Sequence, residues 1–247
     1  NNVANGLFYS FRANVTYARN TVIENDEPPQ RYAYQSAKGH PIDQPFGLIG
    51  LGFFKDQAEI DKSPRQTFQD IVRPGDIRYE DVNGDGVIDN FDRVPIGFPR
   101  TPEFMYGFGG TVAYKNFDVS IFFNGAARAS LYLNGPSIFP FLKGQGSYNV
   151  LREFYDNRWT KENPDGAKYP AVTDDLNVNN YRQSTIYMKD ASYLRLRNAE
   201  IAYTLPTALT QRAAISSLRI FINGLNLYTW DKIKVMDPES NDGVGSY

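Results

Sequence analysis

The sequence contains no cysteine and a single histidine, His40. Without thiols there is no disulfide frame, no thiolate nucleophile and no cysteine-based metal site. His40 stands in KGHPID, a turn-forming context, and reads as a surface residue rather than a catalytic base. A basic excess is missing too: 26 Lys and Arg against 28 Asp and Glu give a formal charge of −2. No basic surface is therefore available for nucleic acid. No apolar run reaches the ~20 residues of a transmembrane helix, and the opening NNVANG is not a signal-peptide pattern. These absences leave β-barrels open, because a barrel strand crosses with about 9–11 tilted residues of alternating polarity. The mean hydropathy is −0.48 beside an aromatic content of 15%. Many aromatics in a polar chain imply strands that face two environments.

Alternation of period two is plain in several segments. From Leu7 to Tyr17 the odd positions read Leu7, Tyr9, Phe11, Ala13, Val15 and Tyr17, against Ser10, Arg12, Asn14 and Thr16. Phe104, Tyr106, Phe108, Gly110 and Val112 repeat it, and Tyr114-Lys115-Asn116 turns into Phe117, Val119, Ile121 and Phe123, which alternate with Asp118, Ser120 and Asn124. Two such strands with so short a turn predict a hairpin. Tyr193–Thr204 predicts another strand with both faces mixed: Tyr193, Arg195, Arg197, Ala199, Ile201 and Tyr203 on one, Leu194, Leu196, Asn198, Glu200, Ala202 and Thr204 on the other. A last strand begins at Leu218. Short turns alternate with long connections at 20–45, 55–103 and 126–190, as in an outer-membrane barrel with tight periplasmic turns and extended extracellular loops. Within those loops, the capping box Ser63-Pro64-Arg65-Gln66 predicts a short helix over SPRQTFQDIV, and SYNVLREFYDNRW predicts a second.

One loop carries candidate chemistry. DVNGDGVIDNFD, Asp81 to Asp92, places Asp81, Asn83 and Asp85 at positions one, three and five of a twelve-residue calcium loop. Gly86 falls at the sharp turn, the Val87 carbonyl at position seven, and Asp89 and Asp92 at nine and twelve. The same residues also suit an Asx- and Gly-rich turn with no metal. Position twelve is Asp rather than the longer Glu, so bidentate closure is weakened. Pro74, Pro95, Pro99 and Pro102 exclude the helices of an EF-hand. A bound Ca²⁺ here would stiffen a long loop.

In this order the segments resemble the SusC/RagA family of TonB-dependent outer-membrane transporters. The resemblance rests on PGDIRYEDVNGDGVIDNFDRVPIG (74–97), YGFGGTVAYKNFDVSIFFNG (106–125), RWTKENPDGAKYPAV (158–172), DASYLRLRNAEIAYTLP (190–206), and LRIFINGLNLYTW with DPE (218–230, 237–239). It implies an all-β fold: a partial antiparallel up-and-down transmembrane β-barrel whose long extracellular loops contain short helices. Residues 1–247 would be the C-terminal part of that barrel, with the plug and TonB box absent and the closing strand missing. The implied function is import of an oligosaccharide or peptide at the outer membrane. The implied partners are a SusD-like surface lipoprotein, TonB through the absent N-terminal region, and outer-membrane lipid.

Two other classes are weighed. A secreted calcium-binding β-sandwich, such as a carbohydrate-binding module, would share the alternation and the Asp81–Asp92 loop, but its outward faces should be polar and its connections shorter. An enzyme is not expected. There is no Cys nucleophile or Ser–His pair, GFGG at Gly107–Gly110 lies within a strand rather than before a helix, and the pair Asp174-Asp175 reads as solvated loop charge.

Overall fold

In the computed structural model the described residues are 2–3, 6–135, 138–139, 150–173, 176–233 and 235–240. The chain divides into two compact units: residues 1–18, 102–128 and 191–232 form one, and residues 19–101, 129–190 and 233–247 the other.

The first unit is a single antiparallel sheet of β1 (Asn2–Val3), β2 (Leu7–Tyr17), β3 (Phe104–Tyr114), β4 (Phe117–Ala127), β5 (Tyr193–Thr204) and β6 (Arg219–Asp231), paired in sequence order. The sheet does not close on itself. Its register places Tyr17 opposite Phe104, Phe104 opposite Ala127, and Ala126 opposite Tyr193, so the connections 18–103 and 128–192 leave from one end. The Lys115–Asn116 turn and the 205–218 connection close the other end, where the Asn116 side chain donates to the Thr204 carbonyl at 2.8 Å. Alternate connections at opposite rims are the mark of an up-and-down wall.

Register also sorts the side chains. Tyr9, Phe11 and Val15 align with Val112, Gly110 and Tyr106, and these with Val119, Ile121 and Gly125. Tyr9, Phe11, Val15, Tyr106, Phe108, Phe117, Val119 and Ile121, the apolar positions of the alternation, all lie on this one face. Arg12, Asn14, Asp118 and Asn124 lie on the other. The apolar face is open: Phe11 is 74% exposed, Val15 71% and Ile222 79%. A sandwich would bury these side chains against a second sheet, so the sandwich reading fails here. Aromatic pairs mark both ends of the face, Tyr17 with Phe104 at 4.6 Å and Phe117 with Tyr203 at 4.5 Å. The strand length between them, about ten residues at ~3.3 Å each and tilted by roughly 40°, spans about 25 Å, the height of a lipid-facing band.

The mixed faces expected for Tyr193–Thr204 are corrected by a β-bulge. Arg197 has no partner on either neighbouring strand, and the register steps there against both β4 and β6. One extra residue reverses the alternation, so Leu194 and Leu196 before it share the apolar face with Ala199, Ile201 and Tyr203 after it. The polar face gathers Arg219 with Asp118 and Glu200, both at 2.6 Å, and the Arg12 guanidinium 4.8 Å from the Phe122 ring. On this face a Cβ at Gly107 of GFGG would come within 2.9 Å of Phe122, and on the apolar face one at Gly125 would come within 2.6 Å of the Tyr106 ring.

If the apolar face meets hydrocarbon, Ile121→Arg should cost about 2–4 kcal/mol at mid-strand, while Thr111→Arg on the other face should cost little. The readout is the heat-modifiable folded band of the intact receptor reconstituted in bilayers. Equal loss for both variants would contradict the assignment of faces.

Candidate functional site

The second unit holds irregular backbone together with its own core. Leu48, Phe54, Ile77, Ile88, Leu133 and Tyr187 are buried, and among the described residues four two-stranded ladders run through it, including the parallel pair Arg65–Gln66 with Val87–Ile88. The helix expected over SPRQTFQDIV is absent. A helix lies just upstream instead, α1 at Gln57–Lys62, capped by the Asp56 carboxylate, which accepts from the Glu59 N–H at 2.8 Å. Ser63 and Pro64 follow its last turn, so this proline ends a helix rather than starting one. The second expected helix is Arg152–Asp156 (α2), with Phe154 buried against Tyr169.

At the centre of this unit lies a polar cluster that sequence reasoning missed. Asp76 is fully buried, as are Asn177, Asn179, Asn180 and Gln66 to within 5%. One Asp76 oxygen accepts from the Asn177 and Asn180 side-chain amides at 2.7 and 2.9 Å, and the other from the Arg73 N–H at 2.8 Å. Asn180 Oδ1 accepts from the Ile77 N–H at 2.8 Å; Gln66 bridges the Tyr79 N–H and the Ile77 carbonyl; the Tyr79 hydroxyl donates to the Asn179 carbonyl at 2.7 Å. The segment 177–180 is thereby tied to 73–79, about a hundred residues earlier. Burial raises the Asp76 carboxyl above its ordinary range, outweighing the three N–H donors that favour its charged form.

The Asp81–Asp92 loop follows directly. Asp81 accepts from the Gly84 and Gly86 N–H groups, each at 2.8 Å, with Gly84 at φ 71° and Gly86 at φ 83°. Asp85 accepts from the Val87 N–H at 2.9 Å and the Asn83 side-chain amide at 3.0 Å. Asp92, fully buried, accepts from the Val82 and Asp89 N–H groups at 2.9 and 2.8 Å, and Asp89 caps the short 3₁₀ turn 90–92. The six candidate ligands thus occur within one ordered loop, their carboxylates turned to its own N–H groups. Among the described residues no three acidic or histidine side chains converge on a single metal position. Asp174-Asp175 lies outside the described residues.

A TonB-dependent receptor of Formosa agariphila is 31% identical over 204 residues, covering 81% of this chain and 20% of that receptor. TonB-dependent receptor SusC of Bacteroides thetaiotaomicron is 26% identical over 181 residues, 73% of this chain and 17% of SusC. The solved structure of the RagAB peptide transporter superposes with a TM-score of 0.70 at 19% identity, over 97% of this chain and 25% of that one. This chain is barrel wall of the SusC/RagA type. It spans about a fifth of the length of the curated relatives. No family model matches it. SusC/RagA-type walls lie in the bacterial outer membrane, and the apolar face described above is the surface such a wall turns to lipid. The matched relatives are receptors and transporters.

The buried cluster sets two expectations. Asn180→Ala strands the Ile77 N–H and removes one donor from Asp76, at about 1–3 kcal/mol; amide exchange at Ile77 in the intact receptor should speed up while the β3–β4 ladder stays protected. Asp76 holds its proton more tightly folded than unfolded, so its contribution to stability is full below the unfolded value of about 4 and is lost as pH rises through the folded value. Asp76→Asn should flatten that slope, measured as loop unfolding against pH.

Proposed function

We propose that this chain serves TonB-dependent import of an oligosaccharide or peptide across the outer membrane, as barrel wall in a SusC/SusD-like complex. The observation that carries the reading is the two-faced ladder: one continuous apolar face with aromatic pairs at both ends, and one face of Arg, Asn, Asp and Glu suited to a wet lumen. In this reading the lid is a SusD-like lipoprotein and energy comes through TonB contacting a region outside this chain. The chain is assigned no catalytic step. Cells carrying the receptor should take up labelled oligosaccharide or peptide only when TonB is functional. Equal uptake without TonB would refute the proposal.

A structural Ca²⁺ in the Asp81–Asp92 loop is part of the proposal. The spacing supports it, and so does the charge: four carboxylates lie within twelve residues, and among the described residues none is ion-paired with Lys or Arg. Asp81, Asn83, Asp85, the Val87 carbonyl, Asp89 and Asp92 would supply the oxygens, because a carboxylate retains lone pairs beyond its N–H bonds. Asp81→Ala with Asp85→Ala should loosen the loop and weaken lid or substrate binding while leaving insertion intact. Chelation of the wild type should reproduce the loosening, read as protease cleavage within 81–92; cleavage indifferent to both would remove the metal from the reading.

A further inference from the structure

The pair Asn-Gly recurs along the chain, at Asn5, Asn83, Asn124, Asn134 and Asn223. Asn5 lies outside the described residues. Asparagine is chemically labile, and most so before glycine, whose missing Cβ leaves the next backbone nitrogen unshielded. Once base removes its proton, that nitrogen adds to the carbonyl carbon of the Asn side chain and expels ammonia, closing a five-membered succinimide. Water then opens the ring at either carbonyl. The products are aspartate and isoaspartate, each carrying one more negative charge than asparagine. Two conditions govern the step: the glycine N–H must be free of an acceptor, and the Asn side chain must be able to swing onto it.

Asn83, Asn124 and Asn223 each fail a condition. Gly84 donates its N–H to Asp81 at 2.8 Å, and Asp85 holds the Asn83 side chain twice, donating its N–H to Oδ1 at 2.9 Å and accepting from Nδ2 at 3.0 Å. Gly125 lies in β4, which pairs on both sides, opposite Tyr106 and Leu194, so the ladder takes its N–H. Gly224 lies in β6, paired with β5. The Leu205 N–H donates to the Leu218 carbonyl at 2.8 Å, and stepping by twos along the antiparallel register makes Ala199 and Gly224 a hydrogen-bonded pair.

Asn134 meets both conditions. It is exposed and borders a cavity of ≈ 190 Å³, which gives its side chain room to turn and water room to enter. Gly135, at φ 96°, accepts at its carbonyl from the Ile138 and Phe139 N–H groups, while its own N–H donates to no described residue. Restraint on the preceding side ends at Leu133, which is buried and donates its N–H to the Tyr187 carbonyl at 3.0 Å.

We propose that Asn134 is a site of spontaneous covalent modification, converting to aspartate and isoaspartate through a succinimide closed by the Gly135 nitrogen, and that the fold withholds Asn83, Asn124 and Asn223 from the same reaction. The isoaspartate product routes the main chain through the side-chain carbons, lengthening it by one methylene just beyond Leu133. Either product adds a carboxylate to the cavity wall. None of this depends on which solute the receptor imports.

Prolonged incubation of the intact receptor at neutral and mildly alkaline pH tests it, read by peptide mass spectrometry with fragmentation that separates aspartate from isoaspartate. A parallel sample unfolded in urea gives the rate at each pair without the fold. Unfolded, the four pairs should convert at comparable rates, since each is followed by glycine. Folded, Asn134 should keep most of its unfolded rate and speed up with pH, because base must remove the amide proton. Asn83 should slow by about tenfold or more, since freeing the Gly84 N–H breaks a hydrogen bond to a charged acceptor. Asn124 and Asn223 should slow at least as much, because their ladders must open first. The assignment is overturned if folding slows Asn134 as much as Asn124, if any of the other three keeps pace with Asn134 in the folded receptor, or if Asn134 yields aspartate with no isoaspartate.

Discussion

The structure depends first on the rule that a backbone N–H or C=O in hydrocarbon has no water to turn to. Strands β2 to β6 meet it by pairing along their length in sequence order, which leaves side chains free to answer to two solvents. Lipid takes the Phe, Tyr, Val and Ile face, and the lumen takes Arg12, Asn14, Asp118, Glu200 and Arg219. Even the bulge at Arg197 obeys this rule. A strand with one residue too many keeps its apolar side chains outward by reversing its alternation at the defect, not by turning polar groups to lipid.

The loop unit meets the same demand by other means. Its ladders are two residues to four residues long, too short to satisfy the backbone between them. Side chains do the rest. Asn180 and Gln66 serve the Ile77 and Tyr79 N–H groups, Asp76 serves Arg73, and in the next turn Asp81, Asp85, Asp89 and Asp92 serve the loop that contains them. Asx side chains suit this work because they are short and reach backbone two or three positions away. One burial cost remains at Asp76, where desolvation outweighs three N–H donors and the nearby Arg73 charge, and its proton affinity rises accordingly.

The wall was largely legible in the sequence because its code is local. Leu7–Tyr17 is a strand with the bounds its alternation predicts, and Tyr114-Lys115-Asn116 closes the hairpin that the flanking pattern requires. The Arg197 bulge was not legible, since an extra residue in one strand can be recognised only against its neighbours. The helix near residue 60 was displaced for a different reason. Ser63-Pro64-Arg65-Gln66 fits the start of a helix, yet Asp56 and Glu59 supply the real cap and Pro64 the real stop, and a short motif cannot say which use prevails. The Asn177–Asn180 cluster was hidden most completely. In sequence NVNN is an ordinary polar loop, and its partners lie about a hundred positions away. Its one local signal was the density of Asn beside the apolar Tyr181 and Tyr187.

Two means of satisfying the backbone also divide the labour of the chain. A ladder ties each strand residue to a partner on the next strand, so a wall tolerates exchange of side chains only within the polarity of its face. A loop held by a few buried amides ties down its centre and leaves its surface uncommitted. Exposed side chains outside the Asp76 cluster, Asp43 and Arg100 among them, then take no part in holding the fold. The loop surface can therefore change while the buried amides and the strand alternation stay the same.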